Sequence, residues 1–130
     1  SGATIDEIAY PAITTLVVTA DSSNGYKFDQ YGNTEDPTIY ALSGATIAFK
    51  LNNISSHPFQ IETSGGSQYD NGLVHVAPDG TQSTGSSAQG KTSGTLYWKI
   101  PANRSGNYQY VCTVHSAMQG TISIKQISAI

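Results

Sequence analysis

Along most of the chain the apolar positions recur with a period near two, and each run is soon cut by Gly, Pro, Asn or Ser. That is the pattern of short, half-buried strands; helices would repeat their apolar face every 3.6 residues or so. The runs predict strands from Ile13 to Ala20, Tyr26 to Tyr31, Thr38 to Leu42, Ala45 to Asn52, Pro58 to Thr63, Gly94 to Ile100, Asn107 to Cys112 and Thr121 to Ile127. The segments Ala45-Thr46-Ile47-Ala48-Phe49-Lys50-Leu51 and Thr121-Ile122-Ser123-Ile124 alternate most cleanly. About eight strands in a chain of this length predict an all-β Greek-key β-sandwich, formed as a single domain over residues 1–130. Thr4 to Ala9 is the one stretch with a helical start. Residues 79–90 are polar and glycine-rich, with no apolar periodicity, and predict a mobile surface loop with short strand pieces at its edges.

Composition narrows the classes of function. The chain is 38% hydrophobic and 12% charged, enough apolar material for a core in 130 residues but poor in the residues that feed long helices. A net charge of -3 is the wrong sign for a protein that holds phosphate backbones, so nucleic acid is excluded as a partner. A single cysteine forbids an internal disulfide, and no apolar run is long enough to span a membrane. Asn53-Ile54-Ser55 and Asn103-Arg104-Ser105 match the glycosylation acceptor pattern, which is common by chance and carries nothing here.

The chemistry concentrates in Tyr110-Val111-Cys112-Thr113-Val114-His115-Ser116-Ala117-Met118-Gln119-Gly120. The only cysteine, the only methionine and one of the three histidines are spaced Cys-x2-His-x2-Met between two strand signals. A strand that ends at Cys112 holds a thiolate at the rim of the sandwich, and a tight loop folds the imidazole of His115 and the thioether of Met118 back toward the same point. Such a site needs a donor from elsewhere. His57, in Ser55-Ser56-His57-Pro58-Phe59, follows a separate strand and is the best supplier. His75, in Leu73-Val74-His75-Val76, is read as structural. Two imidazoles, one thiolate and one thioether suit copper best, since structural zinc prefers more thiolates or imidazoles and non-haem iron asks for a carboxylate.

On these residues the chain resembles the cupredoxins, the type 1 blue copper family. Tyr40 to Ile61 is similar to the family's strand, glycine turn, strand and first-histidine loop. Gly94 to Ile124 is similar to its closing hairpin, with Tyr-x-Tyr-x-Cys-x2-His-x2-Met-x-Gly-x-Ile, and the short ligand loop is closest to that of amicyanin within an overall plastocyanin-like pattern. The resemblance implies a cupredoxin-like sandwich with one mononuclear copper, held by His57, Cys112 and His115 in the equatorial positions and Met118 in the axial one. It implies a one-electron carrier whose redox partner proteins dock transiently near His115, and a location outside the cytoplasm. Pro58 departs from the pattern. It has no N–H to offer the thiolate where the family often has a donor.

A second function remains open at this level. If the axial position is not held by Met118, the copper would be free to bind a small molecule such as a nitrogen oxide and to oxidise or reduce it. Storage or delivery of copper calls for many exposed Met or His, and the chain has one Met. A Cys-His hydrolase built on Cys112 and His115 lacks an evident orienting Asn or Asp.

Overall fold

The computed structural model describes residues 11–126. Within them the chain forms β1 (Thr14–Ala20), β2 (Tyr26–Phe28), β3 (Ile39–Leu42), β4 (Thr46–Leu51), β5 (Phe59–Thr63), β6 (Leu73–Val76), β7 (Gln82–Thr84), β8 (Gly94–Lys99), β9 (Gly106–Cys112) and β10 (His115–Lys125). Two short 3-10 turns, Asp29–Tyr31 and Gly85–Ala88, are the only helical pieces among the described residues. No described helix is long and apolar enough to cross a membrane. The expected helical start at Thr4 to Ala9 lies outside the described residues.

The strands form a six-stranded sheet in the order β2-β1-β4-β8-β6-β7 and a four-stranded sheet in the order β3-β10-β9-β5. The sandwich expected from the alternation is therefore what the chain adopts. Most neighbours are antiparallel, but β1 runs parallel to β4 and β3 parallel to β10, so that early strands close both sheets over later ones. Alternation decides which side chains face inward: Leu16 and Val18 of β1, Ile47 and Phe49 of β4, and Leu96 and Trp98 of β8 are buried from one sheet. From the other come Phe59 and Ile61 of β5, Tyr108, Tyr110 and Cys112 of β9, and Ile122 and Ile124 of β10. The aromatic residues divide into two groups. Tyr26, Phe28, Phe49, Phe59 and Tyr110 pack edge-on or tilted at one end, with Phe59 and Tyr110 stacked at 5.9 Å, while Tyr69, Trp98 and Tyr108 form a separate cluster.

Three expectations need correction. The second strand stops at Phe28 instead of Tyr31, because the Asp29 carboxylate accepts from the Val17 N–H at 2.9 Å and turns the chain into a 3-10 turn. β10 begins at His115 and not near Thr121, since a two-residue turn at Thr113 and Val114 pairs His115 directly with Cys112. Residues 79–90 contain a short strand piece, as expected, but the rest is bonded into the fold instead of standing free. They supply β7, the 3-10 turn and the fully buried Ala88. Gln89 then acts as a substitute strand for the edge of β5: its Oε1 accepts from the Ile61 N–H at 2.9 Å, and its Nε2 donates to the Ile61 carbonyl at 3.0 Å and the Tyr69 carbonyl at 2.8 Å. The neighbouring backbone continues the edge, with Gly90 N–H to the Phe59 carbonyl and Phe59 N–H to the Lys91 carbonyl. A glutamine amide reproduces the donor and acceptor of a peptide unit, a form of anchoring invisible to apolar periodicity.

Candidate metal centre

Two connections meet at one end of the sandwich. The first joins β4 to β5. Asn53 takes a left-handed conformation (φ 61°), the fully buried Ile54 pins the loop, and the His57 N–H closes a turn onto the Ile54 carbonyl at 2.8 Å. His57 is left 9% exposed, its ring turned inward. Asn103 also has a positive φ (58°), so both asparagines of the glycosylation-like triplets serve tight turns, a role for which Asn is well suited.

The second connection is the β9–β10 hairpin. Cys112 ends β9 with 1% exposure, Thr113 and Val114 make the turn, and His115 returns opposite Cys112. The next paired residue is Gln119, opposite Val111, so residues 116–118 form a bulge in β10. A bulge re-aims side chains, and here it sends Ser116 and Ala117 to the surface and returns Met118 to the interior at 0% exposure. The loops are tied together where the Thr113 N–H donates to the Pro58 carbonyl at 3.0 Å.

This arrangement brings His57, Cys112 and His115 together. Their ligand atoms all lie within 4.8 Å of one another, with Cys112 Sγ 3.8 Å from His57 Nδ1 and 3.5 Å from His115 Nδ1. The imidazole rings are tilted at 43° with centroids 5.0 Å apart. A sulfur about 2.3 Å and a nitrogen about 2.0 Å from a shared ion stand roughly 3.5–3.8 Å apart when the angle at the metal lies between tetrahedral and trigonal. The two sulfur–nitrogen separations fall in that window, so each imidazole stands from the thiolate as two ligands of one ion would. A thiolate with two imidazoles suits copper, and Met118 belongs to the same buried cluster as Cys112.

Around the donors the environment is dry and aromatic. Tyr26, fully buried, lies edge-on to Phe59 at 5.3 Å and donates its hydroxyl to the His57 carbonyl at 2.7 Å. Its hydroxyl also faces the Pro58 carbonyl at 3.2 Å. Burial, with the neighbouring Cys112 adding to it, holds the Tyr26 phenol well above its ordinary range, so the group stays a neutral donor. The Asp36 carboxylate accepts from the Tyr26 N–H at 2.9 Å, and the Gln119 N–H lies on its other side. Burial raises the Asp36 carboxyl, and those two N–H groups pull it the other way. Neither residue is evident as part of the site from the sequence. The Tyr26 hydroxyl reaches a carbonyl 31 positions away, and no local spacing announces it.

His75 sits elsewhere, in β6, 3% exposed, with its Nε2 at 2.6 Å from the Ser93 carbonyl. It is a structural histidine, as the sequence suggests. Trp98 likewise packs in the core, its Nε1 donating to the Asn71 carbonyl at 3.2 Å.

No protein-family model matches the chain, and no curated protein sequence does. Among solved structures, a reduced tryptophan-to-tyrosine variant of amicyanin is 20% identical over 93% of this chain and 89% of that one, with a TM-score of 0.47. A methionine-to-glutamine variant of rusticyanin is 22% identical over 89% of this chain and 80% of that one, with a TM-score of 0.48. Both are cupredoxins, the family that the sequence resembles. At these scores the likeness carries no argument about the site, which stands on its donor set and its distances.

Proposed function

We propose that this chain is a mononuclear type 1 copper protein, with His57, Cys112 and His115 as strong ligands and Met118 as the weak axial one, that carries single electrons between redox partners. The observation that carries the proposal is the convergence of two Nδ1 atoms on one buried sulfur at metal-binding spacing. Copper bound there supplies a one-electron couple. The protein supplies the rest. Sheet ends and a two-residue turn fix Cys112 and His115, the first-histidine loop fixes His57, and the aromatic packing keeps bulk water from the sulfur. Donors held this way change position little between oxidation states, which keeps reorganisation small.

His115 is half-buried beside Val114, which is 61% exposed, and beside the exposed Ala117. The turn and bulge at residues 113–117 contain no charged side chain, while the acidic residues lie in earlier segments. A small, uncharged, partly apolar rim around a half-exposed ligand suits brief docking of a redox partner. The extracytoplasmic location implied by the resemblance belongs to the same proposal.

Met118, buried below the bulge, argues for a filled axial position and therefore for a carrier over an enzyme that binds its substrate at copper. Titration of the oxidised copper protein with azide and nitrite tests this. A carrier leaves the visible spectrum unchanged, whereas new bands at millimolar anion would replace electron carriage with small-molecule chemistry.

A further inference from the structure

The first ligand loop is gripped by the segment that contains β2 and the turn after it. Tyr26 reaches that loop through its hydroxyl, which donates to the His57 carbonyl at 2.7 Å and faces that of Pro58 at 3.2 Å. Tyr26 is in turn locked to Asp36. The Asp36 carboxylate accepts from the Tyr26 N–H at 2.9 Å, and the Asp36 N–H donates to the Tyr26 carbonyl at 2.7 Å. A path of hydrogen bonds therefore runs from the His57 backbone through Tyr26 to Asp36, with no ligand atom in it.

The local conformation supports this path. Asp36 adopts a positive φ (52°), uncommon for a residue with a side chain, and its two bonds to the Tyr26 backbone help hold it there. Gly25, before Tyr26, is confined too: a Cβ there would stand 2.9 Å from the Asp36 carboxylate and from the Glu35 Cβ. Pro58 removes one backbone donor from the first loop, so its carbonyl and that of His57 become the handles by which the loop is held.

We propose that Tyr26 and Asp36 form a clamp of two positioning residues that fixes the His57 loop before any metal arrives. The clamp rests on the copper reading for its consequence but not for its existence, because the bonds are made by the protein alone. Residues that hold ligands in place without touching the metal commonly change metal affinity by about 10–100-fold when removed.

The experiment compares Tyr26→Phe, Asp36→Ala and Asp36→Asn with Ile47→Val, a core change in β4 at the opposite end of the same sheet that controls for lost global stability. In the metal-free proteins, backbone hydrogen exchange should quicken about tenfold or more at His57 in Tyr26→Phe and in Asp36→Ala. Asp36→Asn, whose Oδ1 still accepts, should stay within about threefold of the wild type. Loading with cupric ion should then show dissociation constants raised about tenfold or more in Tyr26→Phe and Asp36→Ala, and little changed in Asp36→Asn and Ile47→Val. Exchange and affinity that follow global stability alone, with Ile47→Val behaving like the clamp variants, would overturn the proposal. Should Tyr26→Phe fail to fold, Asp36→Ala decides. A wild type without thiolate-to-copper absorption would refute the copper reading, and the metal-free exchange would still decide the clamp.

Discussion

Gly120 sits opposite Tyr110 in the β9–β10 ladder, two residues after Met118, and the Tyr110 ring occupies the space that a side chain would need. A Cβ at Gly120 would overlap the Tyr110 hydroxyl and Cζ, with Cε2 at 2.9 Å. To clear it, the ring would have to retreat by about an ångström or more to reach ordinary contact. That retreat is blocked. Tyr110 is fully buried, stacked on Phe59 at 5.9 Å, edge-on to Phe28 at 4.8 Å, and tied through its hydroxyl to the Pro37 carbonyl at 2.6 Å. Gly120→Ala therefore carries an overpacking cost of about 1–3 kcal/mol and, if the ring yields, a broken buried hydrogen bond of about 1–3 kcal/mol more. With both contributions the expected loss is about 2–6 kcal/mol, or roughly 8–24 °C in Tm for a domain of this size. Urea denaturation of the metal-free protein measures it. Tyr110→Phe should cost about 1–2 kcal/mol for the hydrogen bond. The double variant should cost less than the sum of the singles by about 1 kcal/mol, because both remove the bond to Pro37, yet it should not recover fully, since Cζ remains in the way. A Gly120→Ala protein within about 0.5 kcal/mol of the wild type, or strict additivity in the double variant, would refute this view of the ring as a fixed template for the end of the ligand loop.

Gln89→Ala should cost about 1–3 kcal/mol by stripping the β5 edge of its amide partners, with proteolysis near residues 85–91 rising accordingly; an unchanged denaturation midpoint would return that segment to the status of a free loop. Burial lowers the affinity of His75 for a proton, so the unfolded chain binds that proton more readily. The stability it contributes is complete above about pH 6.5 and falls away as pH drops below that value. A His75→Gln variant should show a flatter loss of stability between pH 7 and 5 than the wild type, and equal slopes would count against a buried neutral imidazole. Val114→Glu, placed on the most exposed apolar residue of the ligand turn, should slow electron self-exchange about tenfold at low salt with no change in the visible spectrum; an unchanged rate would move the docking surface away from His115.

The sandwich was legible because large apolar residues recur two apart at the core positions of β1, β4 and β10 (Leu16 and Val18; Ile47, Phe49 and Leu51; Ile122 and Ile124), a spacing that suits strands and leaves few other ways to bury them. The donor set was legible because a two-residue turn and a bulge bring Cys112, His115 and Met118 back within one short segment, where spacing alone reveals shared purpose. What stayed hidden is polar and long-range. β6 and β7 are short strands in polar surroundings, Gln89 anchors through its amide, and Tyr26 acts on a residue far along the chain. Hydrogen bonds of that kind are set by tertiary contact, which periodicity does not encode. Tyr26 illustrates the limit. It packs edge-on against Phe59 as any buried aromatic residue can, and its hydroxyl also supports the backbone of a ligand.

The proposed electron carriage requires Cys112 to share one metal ion with two imidazoles. Cupric salt added in equimolar amount to the folded protein with its thiol reduced should produce an intense visible charge-transfer band and the narrow copper hyperfine splitting of a thiolate site in paramagnetic resonance, and Cys112→Ser should abolish both. A wild type that stays colourless, or a band that survives Cys112→Ser, would contradict it.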